Sequence, residues 1–209
     1  MRYGAILLVF LIGCAGHRNI TNLSTILPDD EVGPAYHVTV DSVLRHYFTE
    51  EAYEVIKDIP LVNGPGGYAA GTTFLSNVLS VITGNGFGRK VILPVWRIRN
   101  VFGVEGIIHE YIHHLDDMCR DGELDLFDLE AFRAAYLLLE RDFKHAWIAI
   151  NANRGYGGYP WFYHVFFSMG DLSERVAYAG SQMGRTGLGP DYMKAVFGRI
   201  LRFHPSTPK

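Results

Sequence analysis

Cysteine is scarce: the 209 residues contain two, Cys14 and Cys119. A disulfide framework is excluded, and stability has to come from a packed core. An excess of positive charge is also missing, because 19 Lys and Arg stand against 22 Asp and Glu for a formal charge of −3. Nucleic acid is therefore set aside as a partner. The apolar run from Ala5 to Ile12 falls well short of the roughly 20 residues that a membrane-crossing helix requires. The glycine-rich stretch Gly84, Gly86, Gly88 with Arg89 and Lys90 lacks the Gly-Lys-Ser/Thr that would complete a phosphate-binding loop. What the chain does have is 48% hydrophobic and 13% aromatic content, enough for one domain with a substantial core.

The first residues differ in kind from the rest. Arg2 followed by the apolar run Ala5 to Ile12 has the make-up of a secretory signal core. The run ends in Leu11-Ile12-Gly13-Cys14, which resembles the bacterial lipobox, and that resemblance implies cleavage before Cys14 and a lipid on its sulfur. Residues 15–36 are polar with two prolines and read as a tether. The expected organisation is a lipoprotein signal peptide over residues 1–13, a lipid-anchored tether over 14–36, and one folded domain over 37–209. The expected location is the bacterial cell envelope, with the membrane as a partner through Cys14.

In the domain, the spacing of Val43, Leu44, Tyr47, Phe48, Ala52, Tyr53, Val55 and Ile56 predicts one or two helices closed by Pro60. Two runs rich in Val, Ile, Thr and Phe flank Asn85-Gly86, a dipeptide suited to a hairpin turn, and predict the β-sheet. A long amphipathic helix is expected beyond Asp125, with Leu129, Phe132, Tyr136, Leu139, Phe143 and Trp147 toward the core.

The stretch IIHEYIHHLDDMCRDG, residues 107–122, combines an apolar stripe with three histidines. Val104, Ile107, Ile108, Tyr111, Ile112, Leu115 and Met118 recur on one face of a helix running from Asn100 to Gly122. His109 and His113 lie one turn apart on the adjoining face, with Glu110 about 100° from His109. Two imidazoles at this spacing reach one zinc ion, and the glutamate stands where it can take a proton from water activated there. At this chain's composition, His-Glu-x-x-His is expected by chance about 0.02 times, which favours zinc over histidines merely satisfied in a core.

The segment His109-Glu110-Tyr111-Ile112-His113-His114-Leu115-Asp116-Asp117 resembles the active helix of the zincin metallopeptidases, in particular the anthrax lethal factor catalytic domain and the Mlc titration factor A peptidases. Both have an aromatic residue after the glutamate and acidic residues beyond the second histidine. The resemblance implies an α+β, zincin-like domain whose small mixed sheet packs on the zinc helix and later helices. It also implies a glutamate as third ligand from a later helix. Glu174 in GDLSERVAYAGSQM resembles that ligand segment, and Ser173, Ala177, Ala179 and Gly180 around it would allow close helix packing. Glu130 and Glu140 stay open as alternatives. A metzincin pattern fails at Asp116 and Cys119, and a thermolysin-like spacing would place the ligand at Arg133. Cys119 reads as a small core filler, and Asp116 or Asp117 is a candidate to accept a ligand imidazole's second N–H.

The function this implies is a zinc-dependent endopeptidase, with Zn2+ held by His109, His113 and Glu174, Glu110 as general base, and a peptide or protein as substrate. The alternative is a catalytically inactive zincin-fold surface lipoprotein acting as a binding or scaffold protein. For the oxyanion donor, the lethal-factor resemblance implies a tyrosine seven residues before the ligand, but Phe167 stands there. Tyr163 and His164, in a glycine-rich aromatic stretch with Tyr156 and Tyr159, are the candidates instead. Fatty-acid analogue labelling in a bacterial host checks the lipid expectation: the wild-type chain takes the label and Cys14→Ala does not.

Overall fold

Two threonines start the first pair of helices in the computed structural model, which describes residues 19–27, 38–64, 68–70, 88–99, 103–138, 172–187 and 189–204. Helix α1 (Val40–Tyr47) opens on a capping box: Thr39 Oγ1 accepts the Ser42 amide and Ser42 Oγ accepts the Thr39 amide, each at 3.0 Å. Two amides left without intrahelical partners are thereby satisfied. Helix α2 (Glu50–Ile56) opens on Thr49, which accepts the Ala52 amide at 3.2 Å. The single amphipathic pattern yields two helices because Phe48 is extended. Val43, Leu44, Phe48, Ala52 and Ile56 are all buried beneath them.

Three short strands form a mixed sheet in the order β1-β3-β2. Strand β1 (Leu61–Val62) runs parallel to β3 (Lys90–Ile92) with Leu61 opposite Val91, and β2 (Tyr68–Ala70) runs antiparallel to β3 with Ala69 opposite Val91. Strands β2 and β3 lie in the stretch expected to form the sheet, residues 64–96, of which 71–87 lie outside the described residues, and β1 precedes it. Two residues are too few to show a period, so β1 carried no signal. The expected turn at Asn85-Gly86 lies outside the described residues. A single turn, α3 (Val95–Arg97), follows the sheet.

The tether boundary needs correction. Residues 19–27, expected between lipid and domain, pack on the domain: the Ile20 amide donates to the Leu61 carbonyl and the Leu23 amide to the Val38 carbonyl, both at 2.7 Å. Leu23 is fully buried, and Ile20 and Leu27 nearly so. The segment's polar average hid three apolar side chains spaced three and four apart, which is helical or turn spacing and enough to join a core. The domain therefore begins before residue 37.

Helix α4 (Gly103–Arg120) crosses behind the sheet with Val104, Ile107, Ile108, Tyr111, Ile112 and Leu115 completely buried, as the pattern predicts. The predicted stop at Gly122 is also correct. Gly122 has φ +76, the Glu123 amide donates to the Met118 carbonyl at 2.9 Å and the Gly122 amide to the Cys119 carbonyl at 3.2 Å, the paired bonds of a Schellman ending. The expected N-cap, Asn100, lies outside the described residues. Tyr111 Oη donates to the Ile59 carbonyl at 2.6 Å, fixing α4 to the chain entering β1.

A further helical segment over residues 129–138 is capped by Asp128, whose Oδ1 accepts the Glu130 and Ala131 amides. Phe132 and Tyr136 are buried and Leu129 partly so, whereas Leu139, Phe143 and Trp147 lie outside the described residues. Helix α5 (Leu172–Thr186) lies along α4 in the most extensive contact among the described elements. Helix α6 (Asp191–Phe197) sets Phe197 against Phe127 and Phe132. Helices around a small mixed sheet make the fold α+β. Among the described residues no helix is long and apolar enough to cross a membrane.

Gly180 sets the separation of α4 and α5. A Cβ there would sit 2.7 Å from Ile112 Cδ1 and 2.9 Å from the Phe197 ring. Gly180→Ala is expected to destabilise by about 1–3 kcal/mol through overpacking, despite alanine's helix advantage of roughly 1 kcal/mol. Ile112→Val deletes the clashing methyl and recovers part of that loss in the double variant. Denaturant titration of the four chains in that cycle measures both effects.

Candidate metal centre

The periodicity of α4 and the close packing of α5 bring three donors together. His109 and His113 are separated by one turn of α4, and Glu174 stands in the first turn of α5. Their Nε2 atoms are 3.1 Å apart, with His109 Nε2 3.3 Å from Glu174 Oε2 and His113 Nε2 3.4 Å from Glu174 Oε1. Four-coordinate metal–nitrogen and metal–oxygen bonds of 2.0–2.2 Å place neighbouring donors about 3.3 Å apart. The three side chains match that spacing, so the group can hold a metal ion. The imidazoles are largely buried while the Glu174 side chain is 43% exposed, which leaves one side of the cluster open.

The charges around the cluster are coupled. Hydrogen bonds from His109 and then His113 hold the Glu174 carboxyl well below the usual carboxylate range, against its partial burial. Burial disfavours a charge on His113, but its bond to Glu174 and the fields of Glu110, Glu174 and Asp116 outweigh that and raise its pKa. Glu110, one residue after His109, is buried on the same helix. Its negative charge thus acts on the cluster without belonging to the donor set.

The remaining candidates separate clearly. Glu130 is exposed and paired with Arg133, so it is not a ligand. Glu140, Cys14, Tyr156, Tyr159, Tyr163, His164 and Phe167 lie outside the described residues. His114, the third histidine of the helix, is completely buried and faces the sheet, its Nε2 3.0 Å from the Lys90 carbonyl. Burial pushes its pKa down to about 4, so it stays neutral and structural. Cys119 is half-buried against the core.

Asp116 was a candidate partner for a ligand imidazole and Ser173 a small packing residue, whereas Arg120, Tyr178 and Gln182 carried no signal on their own in the sequence. Ser173, beside Glu174, places its Oγ 2.9 Å from His113 Nδ1 and donates to Asp116 Oδ2 at 2.8 Å. Asp116 in turn pairs with Arg120 Nη2 at 2.8 Å. Tyr178, one turn beyond Glu174, packs edge-to-face on His109 at 5.1 Å between centroids. Gln182 Nε2, another turn on, donates to Glu105. The i+3 and i+4 spacings of Asp116 from His113 and of Arg120 from Asp116 were legible, but the partner on α5 was not. Comparison with family models, with curated proteins and with solved structures found no match to this chain.

A metal ion held by this cluster would compete with protons for it. Without metal, the His113 imidazolium stabilises the fold fully below the ordinary pKa of 6.5. That contribution is lost as pH rises through the raised folded value. A metal ion needs the neutral ring, so its stabilisation grows as pH rises through the same window. Zinc is expected to raise the melting temperature of chelator-stripped protein more at pH 8 than at pH 6. His109→Ala and Glu174→Ala are expected to abolish most of the zinc-induced shift. Thermal unfolding with and without zinc, alongside elemental analysis, measures both.

Proposed function

We propose that this protein is a zinc-dependent endopeptidase tethered to the bacterial cell envelope. The observation that carries the reading is the convergence of His109 and His113 from α4 with Glu174 from α5 at metal-binding spacing, with Glu110 beside His109 on α4. Two imidazole nitrogens and one carboxylate form a donor set that suits zinc and leaves a fourth position for water or substrate. Bound there, zinc lowers the pKa of water and polarises a carbonyl oxygen.

The chain's own residues supply the rest. His109, His113 and Glu174 hold the ion, and the negative charge of Glu174 moderates the positive charge at the site. Glu110 takes a proton from the attacking water as a bond forms to the peptide carbonyl carbon, then returns it to the departing amine nitrogen. Its burial beside the cluster keeps that carboxylate where bulk water screens it weakly.

The lipobox-like Leu11-Ile12-Gly13-Cys14 supports a lipid anchor on Cys14. Only four residues would then lie between Cys14 and Asn19, where the chain bridges to Val62. The five steps from Cys14 to Asn19 span at most about 17 Å. On this reading the domain rides against the membrane, and its substrates are peptides or proteins that reach that surface.

Glu110→Gln separates the base from the ligands. The variant is expected to keep its zinc content and melting temperature while losing hydrolysis by about 10² or more, the lower end of what a positioned general base contributes. Zinc-quantified wild type and variant are compared on a proteome-derived peptide library. Equal cleavage by the two removes Glu110 from the mechanism, and no cleavage by zinc-loaded wild type removes the peptidase reading.

A further inference from the structure

The residue before the third ligand makes a contact that the metal site alone does not require. Ser173 Oγ lies 2.9 Å from His113 Nδ1 and 2.8 Å from Asp116 Oδ2. A serine hydroxyl has one proton to give. Asp116, buried and ion-paired with Arg120 at 2.8 Å, can only accept, so the Ser173 proton is committed to it. Ser173 Oγ is then left as an acceptor toward the ring, and Nδ1 must carry a hydrogen.

We infer that Arg120, Asp116 and Ser173 form a positioning relay that fixes His113 as its Nδ1–H tautomer and thereby directs the Nε2 lone pair at the metal position. The direction of the relay follows from donor and acceptor chemistry alone: guanidinium to carboxylate, hydroxyl to carboxylate, imidazole N–H to hydroxyl. Second-sphere hydrogen bonds of this kind orient a ligating ring and set its tautomer.

The relay also joins two elements. Asp116, Arg120 and His113 belong to α4, whereas Ser173 and Glu174 are adjacent residues in the first turn of α5. The hydrogen bonds that select the tautomer therefore also dock the helix end that delivers the third ligand. Ser173 orients both the ring beside it and the carboxylate next to it. Loss of the Ser173 hydroxyl acts twice, on the ring's tautomer and on the reach of Glu174.

The relay rests on the zinc-site reading for its purpose, and its test separates the two. Long-range 1H–15N correlation spectra of the metal-free wild type, recorded where the rings are neutral, are expected to show His113 as Nδ1–H. In Ser173→Ala the Nε2–H form is expected to appear. The zinc Kd is expected to rise about 10- to 100-fold with the circular dichroism unchanged, and Ser173→Thr, which keeps the hydroxyl, is expected to restore both readouts. A wild-type His113 in the Nε2–H form, an unchanged zinc Kd in Ser173→Ala, or a threonine variant as weak as the alanine one overturns the relay. Wild type that binds no zinc at all sinks the zinc reading, and the tautomer measurement then decides the relay by itself.

Discussion

The separation of α4 and α5 is the constraint on which the rest depends. Gly180 allows Ile112 and Phe197 to occupy the volume a Cβ would take, and at that distance the polar edges of the helices meet as well as their apolar faces. Along the shared edge run Glu105 with Gln182, His109 with Tyr178, His113 with Glu174, and Asp116 with Ser173. A wider spacing would separate every one of these pairs. The donor cluster is thus a by-product of core packing a few residues away: the same contact that buries Ile112 sets how far Glu174 must reach.

The sheet serves the site indirectly. Its strands are too short to offer much surface, but the sheet and the chain entering it hold α4 at two points, Tyr111 to the Ile59 carbonyl just before β1 and His114 to the Lys90 carbonyl of β3. Both bonds come from the face of α4 opposite α5. A helix pinned on one side by buried hydrogen bonds and on the other by close packing has little freedom to rotate. His109 and His113 therefore keep their aim. Residues 19–27 add to this from outside, closing over α1 and β1 with Ile20 and Leu23. This part of the segment read as a tether is one more part of the scaffold.

The three histidines of α4 show how one helix divides similar side chains among different tasks. His109 and His113, on one edge, face a carboxylate, and the acidic neighbours of His113 favour its charge. His114 points into the core, where burial denies it a charge and a backbone carbonyl takes its Nε2–H. One hundred degrees of helix separates a residue of the candidate metal site from a structural one.

The sequence by itself determined everything that a periodic pattern can carry. The buried face of α4 from Val104 to Leu115, its stop at Gly122, the one-turn spacing of His109 and His113, and the small residues around Glu174 were all legible, because each depends on neighbours within a turn or two of the same helix. Only the tertiary structure decided what depends on a second element. It brought Glu174 rather than Glu130 to the histidines, and it connected Asp116 to His113 through Ser173 rather than directly. It built β1 from two residues and drew Ile20, Leu23 and Leu27 out of a polar stretch into the core. The physical reason is common to all four: a contact between residues about 15 to 65 positions apart leaves no trace in local spacing, and is fixed only when packing at places such as Gly180 sets the distance between the elements that carry them.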